Sequence, residues 1–275
     1  MNYRLVATDV DGTLCQIFKS PSPRVKAAVQ NAQARAVRVV LATGRMYRSA
    51  RRFVDELDLQ SALICDQGAT IRDARTGTAL FQQTVPLDLA RQVIAFADDS
   101  ISRVVCRDEE FYARNASPDV LLFVENYTSH LHVAPDFAEA LRTEPQKIVF
   151  VNNPATTTRL VPQLKARFGD ALQVVQSHDY FIEITHRAVS KGAALAWLAQ
   201  QWHIPRAQVI AIGDHDNDRS MIEWAGLGVA MGNAIPSVKA LAQYIAPPVE
   251  ADGAAVVIEK FILNGQDANP SSFSE

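Results

Sequence analysis

An apolar run near the start of the chain, Leu5-Val6-Ala7-Thr8, breaks abruptly into Asp9-Val10-Asp11-Gly12-Thr13. Strands buried on both faces of a parallel sheet read as continuous apolar stretches, so this run predicts a first strand from Arg4 to Asp9. A helical spacing follows from about Ser22 to Ala36, then a second apolar run from Arg38 to Ala42, a helix from Met46 to Leu57 and a third run from Ala62 to Cys65. Strands alternating with helices in this way predict a Rossmann-like, doubly wound parallel sheet of the α/β class. Ala69 to Asp73 and Thr78 to Gln82 flank Thr76-Gly77 and predict a hairpin.

After Pro86 the pattern changes character. A helical run to about Asp98 leads into paired strands, Arg103 to Cys106 and Phe111 to Arg114, and then a helix with Ser117 as its cap and Pro118 in its first turn, reaching about Tyr127. Lys147 to Val151 predicts another strand, and Leu160, Leu164 and Phe168 recur at helical spacing as a core stripe. Gln173 to Gln176 and Tyr180 to Thr185 bracket His178-Asp179 as a hairpin, and the chain rejoins the core near His186. The expected division is therefore core over 1–84 and 187–264, an inserted α/β domain over 85–186, and a polar tail over 265–275 that is expected to be disordered. His130 and His132 share a strand face and read as packing residues, two histidines without a third ligand making a weak metal site.

Candidate chemistry gathers at the ends of the predicted core elements, where open α/β sheets place their ligands. Asp9 and Asp11 lie one residue apart at the end of the first strand. Carboxylates so close repel each other, which implies a bound cation, a raised pKa or both, with a solvated Asp-Gly turn as the plain alternative. Thr43-Gly44-Arg45 closes the second apolar run ahead of a helix. Such a turn offers a hydroxyl and backbone N–H groups to an anion, although a threonine there also serves as a helix cap. Lys191 follows the cap residue Ser190 at the start of a helix, where a cation opposes the macrodipole unless an anion lies near or the side chain reaches water. The densest cluster is Gly213-Asp214-His215-Asp216-Asn217-Asp218 after the apolar run Val209 to Ile212. Its oxygens suit a hard cation such as Mg²⁺, whereas a calcium loop would need a bidentate glutamate at its twelfth position.

These four segments, in this order, resemble the motifs of the haloacid dehalogenase superfamily, and within it the Cof-type (subfamily IIB) phosphatases with a large α/β cap between the second and third motifs. The resemblance runs from Val6 to about Phe261 and takes in Leu227 to Ala234 and Asp252 to Ala255 as closing segments. It implies Asp9 as the nucleophile and Asp11 as general acid and then base. It further implies Thr43, Gly44, Lys191 and Asn217 around the phosphate, and Mg²⁺ held by Asp9, Asp214 and the backbone carbonyl of Asp11, with Asp218 in support. A carboxylate that takes up the phosphoryl group divides hydrolysis into two easier steps. Two positions depart from the pattern or vary within it. Gln67 stands where the family usually has Asn, and His215 reads as a solvated loop residue.

The implied substrate is a small phosphorylated metabolite, most plausibly a sugar phosphate, with pyridoxal phosphate and flavin mononucleotide also in range. A closing cap would shut out bulky phosphoproteins and carry the specificity. A sugar phosphomutase shares the nucleophile and is the nearest alternative. A phosphoaccepting receiver is a compact single domain phosphorylated on its third strand and fits the motif order poorly; a metabolite-binding protein without catalysis is the remaining reading.

Composition adds exclusions. At 275 residues, 48% hydrophobic and 21% charged, the chain has the make-up of a globular protein with a sizeable core. A net charge of -3 argues against general nucleic-acid binding. Arg45, Arg48, Arg51 and Arg52 form a basic stripe that reads as a solvated face with some steering of anionic substrates, Arg45 alone lying near the site. Cys15, Cys65 and Cys106 lack metal or redox spacing and read as reduced thiols. With no cationic leader and no apolar stretch near the roughly 20 residues of a membrane span, a cytoplasmic location and no membrane partner are expected. The sequence does not set an oligomeric state.

Overall fold

The computed structural model describes residues 2–17, 19–125 and 130–264. Its strands are β1 (Leu5–Thr8), β2 (Arg38–Ala42), β3 (Ala62–Cys65), β4 (Thr70–Asp73), β5 (Ala79–Gln82), β6 (Ser102–Arg107), β7 (Glu110–Ala113), β8 (Leu131–Val133), β9 (Lys147–Val151), β10 (Leu172–His178), β11 (Phe181–His186), β12 (Val209–Gly213), β13 (Leu227–Ala230) and β14 (Tyr244–Ile245). The helices are α1 (Pro23–Ala34), α2 (Tyr47–Leu57), α3 (Leu87–Phe96), α4 (Pro118–Val124), α5 (Pro154–Phe168), α6 (Lys191–Gln201), α7 (Arg219–Trp224), α8 (Pro236–Lys239) and α9 (Gly253–Ile258).

Among the described residues, eight strands form the first sheet in the order β14-β13-β12-β1-β2-β3-β4-β5. It is parallel from β14 to β3, and the β4–β5 hairpin extends it antiparallel. Both faces are covered, which is why β1 is apolar throughout: Leu5 and Ala7 pack toward α6 and α7, while Val6 packs toward α1, α2 and α9. Ser22 caps α1 by accepting from the Val25 N–H at 3.2 Å, and Ser190 caps α6 by accepting from the Ala193 N–H at 3.0 Å. Thr8 lies level with Leu41 on one side and Ile212 on the other. The chain winds outward from β1 in both directions, so the carboxyl ends of β1, β2 and β12 meet at a topological switch point.

The second sheet, built wholly from strands between residues 102 and 186, runs β10-β11-β9-β6-β7-β8. One face buries α3 and α5, the Leu160, Leu164 and Phe168 stripe included. The other face packs on α4 and on Met46 of the first unit. This is the α/β fold with an inserted second α/β unit that the alternation predicts.

The end of the predicted helix near Tyr127 and the predicted disorder of 265–275 lie outside the described residues. His130 and His132 are not core: their side chains are 77% and 49% exposed and stand 3.3 Å from the Glu110 carboxylate, in a solvated charge cluster with Arg48. Arg45 is likewise no part of a solvated stripe, being 5% exposed; it precedes α2 and turns inward, whereas Arg48, Arg51 and Arg52 lie on the helix. All three cysteines are free and buried. Among the described residues no helix is long and apolar enough to cross a membrane.

Candidate active site

Every predicted site residue stands on a segment that leaves the carboxyl end of a strand or opens a helix at the switch point. Asp9 directly follows β1, is 6% exposed, and its N–H donates to the Ile212 carbonyl of β12 at 2.9 Å. Lys191, the first residue of α6, is 1% exposed and lies between two carboxylates. Its Nζ donates to Asp9 Oδ1 at 2.6 Å and to Asp218 Oδ1 at 2.7 Å. The helix cation that the macrodipole disfavours is therefore held by anions, not water. Asp218 Oδ2 accepts from the Asp214 and His215 N–H groups at 2.9 and 3.1 Å, tying the acidic loop after β12 into a fixed turn. His215 itself is half-buried there.

The turn after β1 brings in Asp214. Gly12 has φ +86°, and a Cβ at this position would stand 2.6 Å from Asp214 Oδ2, so the loop closes on that carboxylate only without a side chain. Thr13 Oγ1 donates to Asp214 Oδ1 at 2.8 Å. Asn233, after β13, donates to the Gly12 carbonyl at 2.8 Å. Oxygens of Asp9, Asp214 and Asp218 lie within 4.8 Å of one another, the one such acidic group of three among the described residues.

Asp11 takes a different course. Its carboxylate receives two parallel hydrogen bonds from Arg45, Nε to Oδ2 at 2.7 Å and Nη2 to Oδ1 at 2.8 Å, while Arg45 Nη1 donates to Ser49 at 3.1 Å. Both carboxylate oxygens of Asp11 are thus engaged by Arg45 and neither joins the acidic group of three, leaving its backbone carbonyl as the atom it could offer to a cation.

Thr43 and Gly44 line the turn between β2 and α2. Thr43 is 1% exposed, and its Oγ1 accepts from the Arg45 N–H at 3.1 Å, so it orders its own turn rather than capping α2. Gln67 borders this turn: its N–H donates to the Thr43 carbonyl at 3.1 Å, and its side-chain oxygen accepts from Asn217 Nδ2 at 3.0 Å. Asn217 therefore joins the site through Gln67. A cavity of about 390 Å³ opens beside these groups, lined among others by Gln67, Thr185, Lys191, Asn217 and Arg219.

Electrostatics follow from burial. Loss of water raises the Asp9 carboxyl well above its ordinary value despite Lys191, and Asp218, Asp214 and Asp11 add to the rise. Burial and Asp218 push Asp214 up to about 7 against the Thr13 hydrogen bond. Burial alone would lower the Lys191 ammonium, but Asp218 and Asp9 outweigh it and hold it above its ordinary value. Two buried carboxyl groups and a half-buried third share one ammonium, and an oxygen-only donor set of this kind could hold a hard metal ion, whose charge would favour the ionised carboxylates that these raised values otherwise oppose.

Sequence reading passes over several members of the site. Thr13 is one, since its contact with Asp214 spans 201 residues of chain; Arg45 the sequence does place near the site, but its fork onto Asp11 is supplied only by the fold. Lys147 and Glu183, in β9 and β11, carry a fainter signal: Lys147 opens an otherwise apolar strand and Glu183 stands between Ile182 and Ile184, and they are 1% and 6% exposed.

A parallel sheet with a buried aspartate directly after β1, a buried lysine and a carboxylate loop at its switch point, joined to an inserted α/β unit, is the frame within which the chain's relatives are to be read. The sequence profile described as haloacid dehalogenase-like hydrolase matches residues 6–258, and the chain belongs to that family. YxeH of Bacillus subtilis (strain 168), provisionally named a phosphatase, is 30% identical over 270 residues, covering 95% of this chain and 99% of the relative. The HMP-PP phosphatase of Serratia proteamaculans (strain 568) is 30% identical over 240 residues, 87% of each chain. The crystal structure of a haloacid dehalogenase-like hydrolase from Bacteroides thetaiotaomicron superposes with a TM-score of 0.84 at 28% identity, covering 94% of this chain and all of the other.

Proposed function

We propose that this phosphatase hydrolyses small phosphorylated metabolites, sugar phosphates foremost, in a Mg²⁺-dependent reaction through a phosphoaspartate at Asp9. The observation that carries the reading is the buried Asp9–Lys191–Asp218 chain beside Asp214, which places a carboxylate next to a fixed cation and an acidic group. Asp9 attacks phosphorus, and the bond to the leaving alkoxide breaks. Asp11 protonates that alkoxide and then removes a proton from the water that attacks the phosphoaspartate, returning Asp9 and releasing phosphate. Lys191, Asn217, Thr43 and the backbone at Gly44 bind the phosphoryl oxygens. Asp9, Asp214 and the Asp11 carbonyl would hold Mg²⁺, supported by Asp218; when bound it supplies charge neutralisation at those oxygens. Residues 85–186 act as the cap that selects the leaving group, and the relative acting on HMP-PP supports a small organic phosphate as substrate. Buried free thiols accord with a reducing cytoplasm.

The test is phosphate release from a panel of sugar phosphates and phosphorylated cofactors, with Mg²⁺ and with chelator, for the wild type and Asp9→Asn. Metal-dependent release lost in the variant supports the reading. Interconversion of phosphate isomers without release would make the protein a mutase, and no turnover of any kind would overturn the reading.

A further inference from the structure

The seam between the two sheets is closed by charged groups that the reaction does not use. Lys147 opens β9 and Glu183 lies on the neighbouring β11, where Glu183 pairs in register with Val149. They are thus diagonal neighbours on one face of the sheet, the face that packs on α4 and Met46. Lys147 Nζ donates to Glu183 Oε2 at 2.8 Å. Both residues also reach across the seam. Lys147 donates to the Gly44 carbonyl at 2.5 Å, and Glu183 Oε1 accepts from Gln67 Nε2 at 2.8 Å. Gln67 then accepts from Asn217 at 3.0 Å.

The fit leaves little slack. A Cβ on Gly44 would stand 2.4 Å from Gln67 Nε2 and 3.2 Å from Glu183 Oε1, and Asp66 and Gln67 hold φ of +52° and +62°, which non-glycine residues adopt only where surroundings enforce it. Burial by itself would raise the Glu183 carboxyl, but Lys147 outweighs it and keeps the group below its ordinary value.

We infer that Lys147 and Glu183 are positioning residues that couple closure of the inserted unit to assembly of the phosphate pocket. With the seam shut, Lys147 fixes the Thr43–Gly44 turn by its carbonyl and Glu183 fixes Gln67, which sets Asn217. With the seam open, the pair keeps its mutual ion pair, the turn loses its tether, and Gln67 and Asn217 lose their orientation. Turnover is thereby confined to the closed state, and the two residues act on the phosphoryl side of the site rather than by touching the leaving group. This inference rests on the proposed phosphatase reading.

The test compares the wild type with Lys147→Met, Glu183→Gln and the double variant Lys147→Met/Glu183→Leu. The double variant removes both members of the pair together, so neither is stranded opposite the other; Asp66, 3.9 Å from Lys147 Nζ, loses a neighbouring cation, and thermal unfolding of each variant is measured beside the kinetics. Turnover of a small aryl phosphate and of a hexose phosphate is measured beside backbone hydrogen exchange in residues 43–45 and 66–68. A positioning role predicts that kcat falls about tenfold or more for both substrates with KM little changed, and that exchange in both segments quickens by a similar factor. A loss confined to the hexose phosphate and expressed in KM would make these residues leaving-group contacts and overturn the inference. So would a double variant with wild-type kcat and wild-type exchange. If the wild type releases no phosphate, the phosphatase reading fails by itself, and the exchange comparison still decides whether the seam orders the two loops.

Discussion

Arg45 grips Asp11 through two parallel hydrogen bonds of 2.7 and 2.8 Å, from a guanidinium that is almost fully buried. The fork sets the carboxylate plane of the proposed general acid and base, and a lysine at this position would supply the charge without the geometry. Arg45→Lys is expected to lower kcat about tenfold, the effect of losing about 1.4 kcal/mol from one charge-assisted hydrogen bond, while KM changes little. Steady-state kinetics decide it; an unchanged kcat would show that the fork does not orient Asp11 for proton transfer.

Lys191 is the single ammonium between Asp9 and Asp218. Lys191→Met leaves two buried carboxylates without their cation, and breaking a buried pair from one side costs about 3–5 kcal/mol. Urea unfolding in chelator is expected to show a loss of this order together with abolished phosphate release. A stability within experimental error of the wild type would contradict the reading of Lys191 as the structural counter-charge.

At Gly12 a methyl group meets Asp214 Oδ2 at 2.6 Å in a backbone with φ +86°. Gly12→Ala is expected to cost about 1–3 kcal/mol through the strained backbone and to displace Asp214. The thermal shift on adding Mg²⁺ should shrink in parallel with activity. A variant with an unchanged shift would mean that Asp214 is not a ligand, or that the loop accommodates the methyl group elsewhere.

Asp214 titrates near pH 7 in the metal-free fold, against an ordinary value of 3.8, chiefly because it is buried and faces Asp218. A carboxyl raised by folding favours the folded state in its protonated form. Its contribution is complete below about pH 4 and is lost as pH rises through about 7. The Tm of chelated wild type minus that of chelated Asp214→Asn should therefore fall between about pH 4 and pH 7 and level off above. A difference that rises across this window would contradict the assignment.

Much of this was legible in the sequence because a parallel sheet sandwiched between helices leaves continuous apolar runs, and the residues that end those runs gather at the switch point where the candidate site is formed. Leu5–Thr8, Arg38–Ala42 and Val209–Gly213 delivered Asp9, Thr43 and Asp214 in that way. Arg45 was misread because a helical-spacing argument cannot tell a residue before the helix from one on its surface; only its turn, tied by Thr43, sends it inward. His130 and His132 were misread because they flank Leu131, the residue of the short edge strand β8 that packs on the core, and so take its opposite, solvent-facing side. Lys147 and Glu183 escaped notice because their partners, Gly44 and Gln67, are 103 and 116 residues distant. No local pattern encodes a contact between the two sheets.

The phosphoaspartate itself is the most direct target. Wild-type protein is mixed with a turned-over sugar phosphate and Mg²⁺, quenched during steady state with borohydride, which reduces an acyl phosphate to the alcohol, and digested for peptide mass analysis. Conversion of Asp9 to homoserine, absent without substrate and in Asp9→Asn, is the predicted result. Turnover with no reduced residue at position 9, or with the label at another carboxylate, would contradict a nucleophilic Asp9.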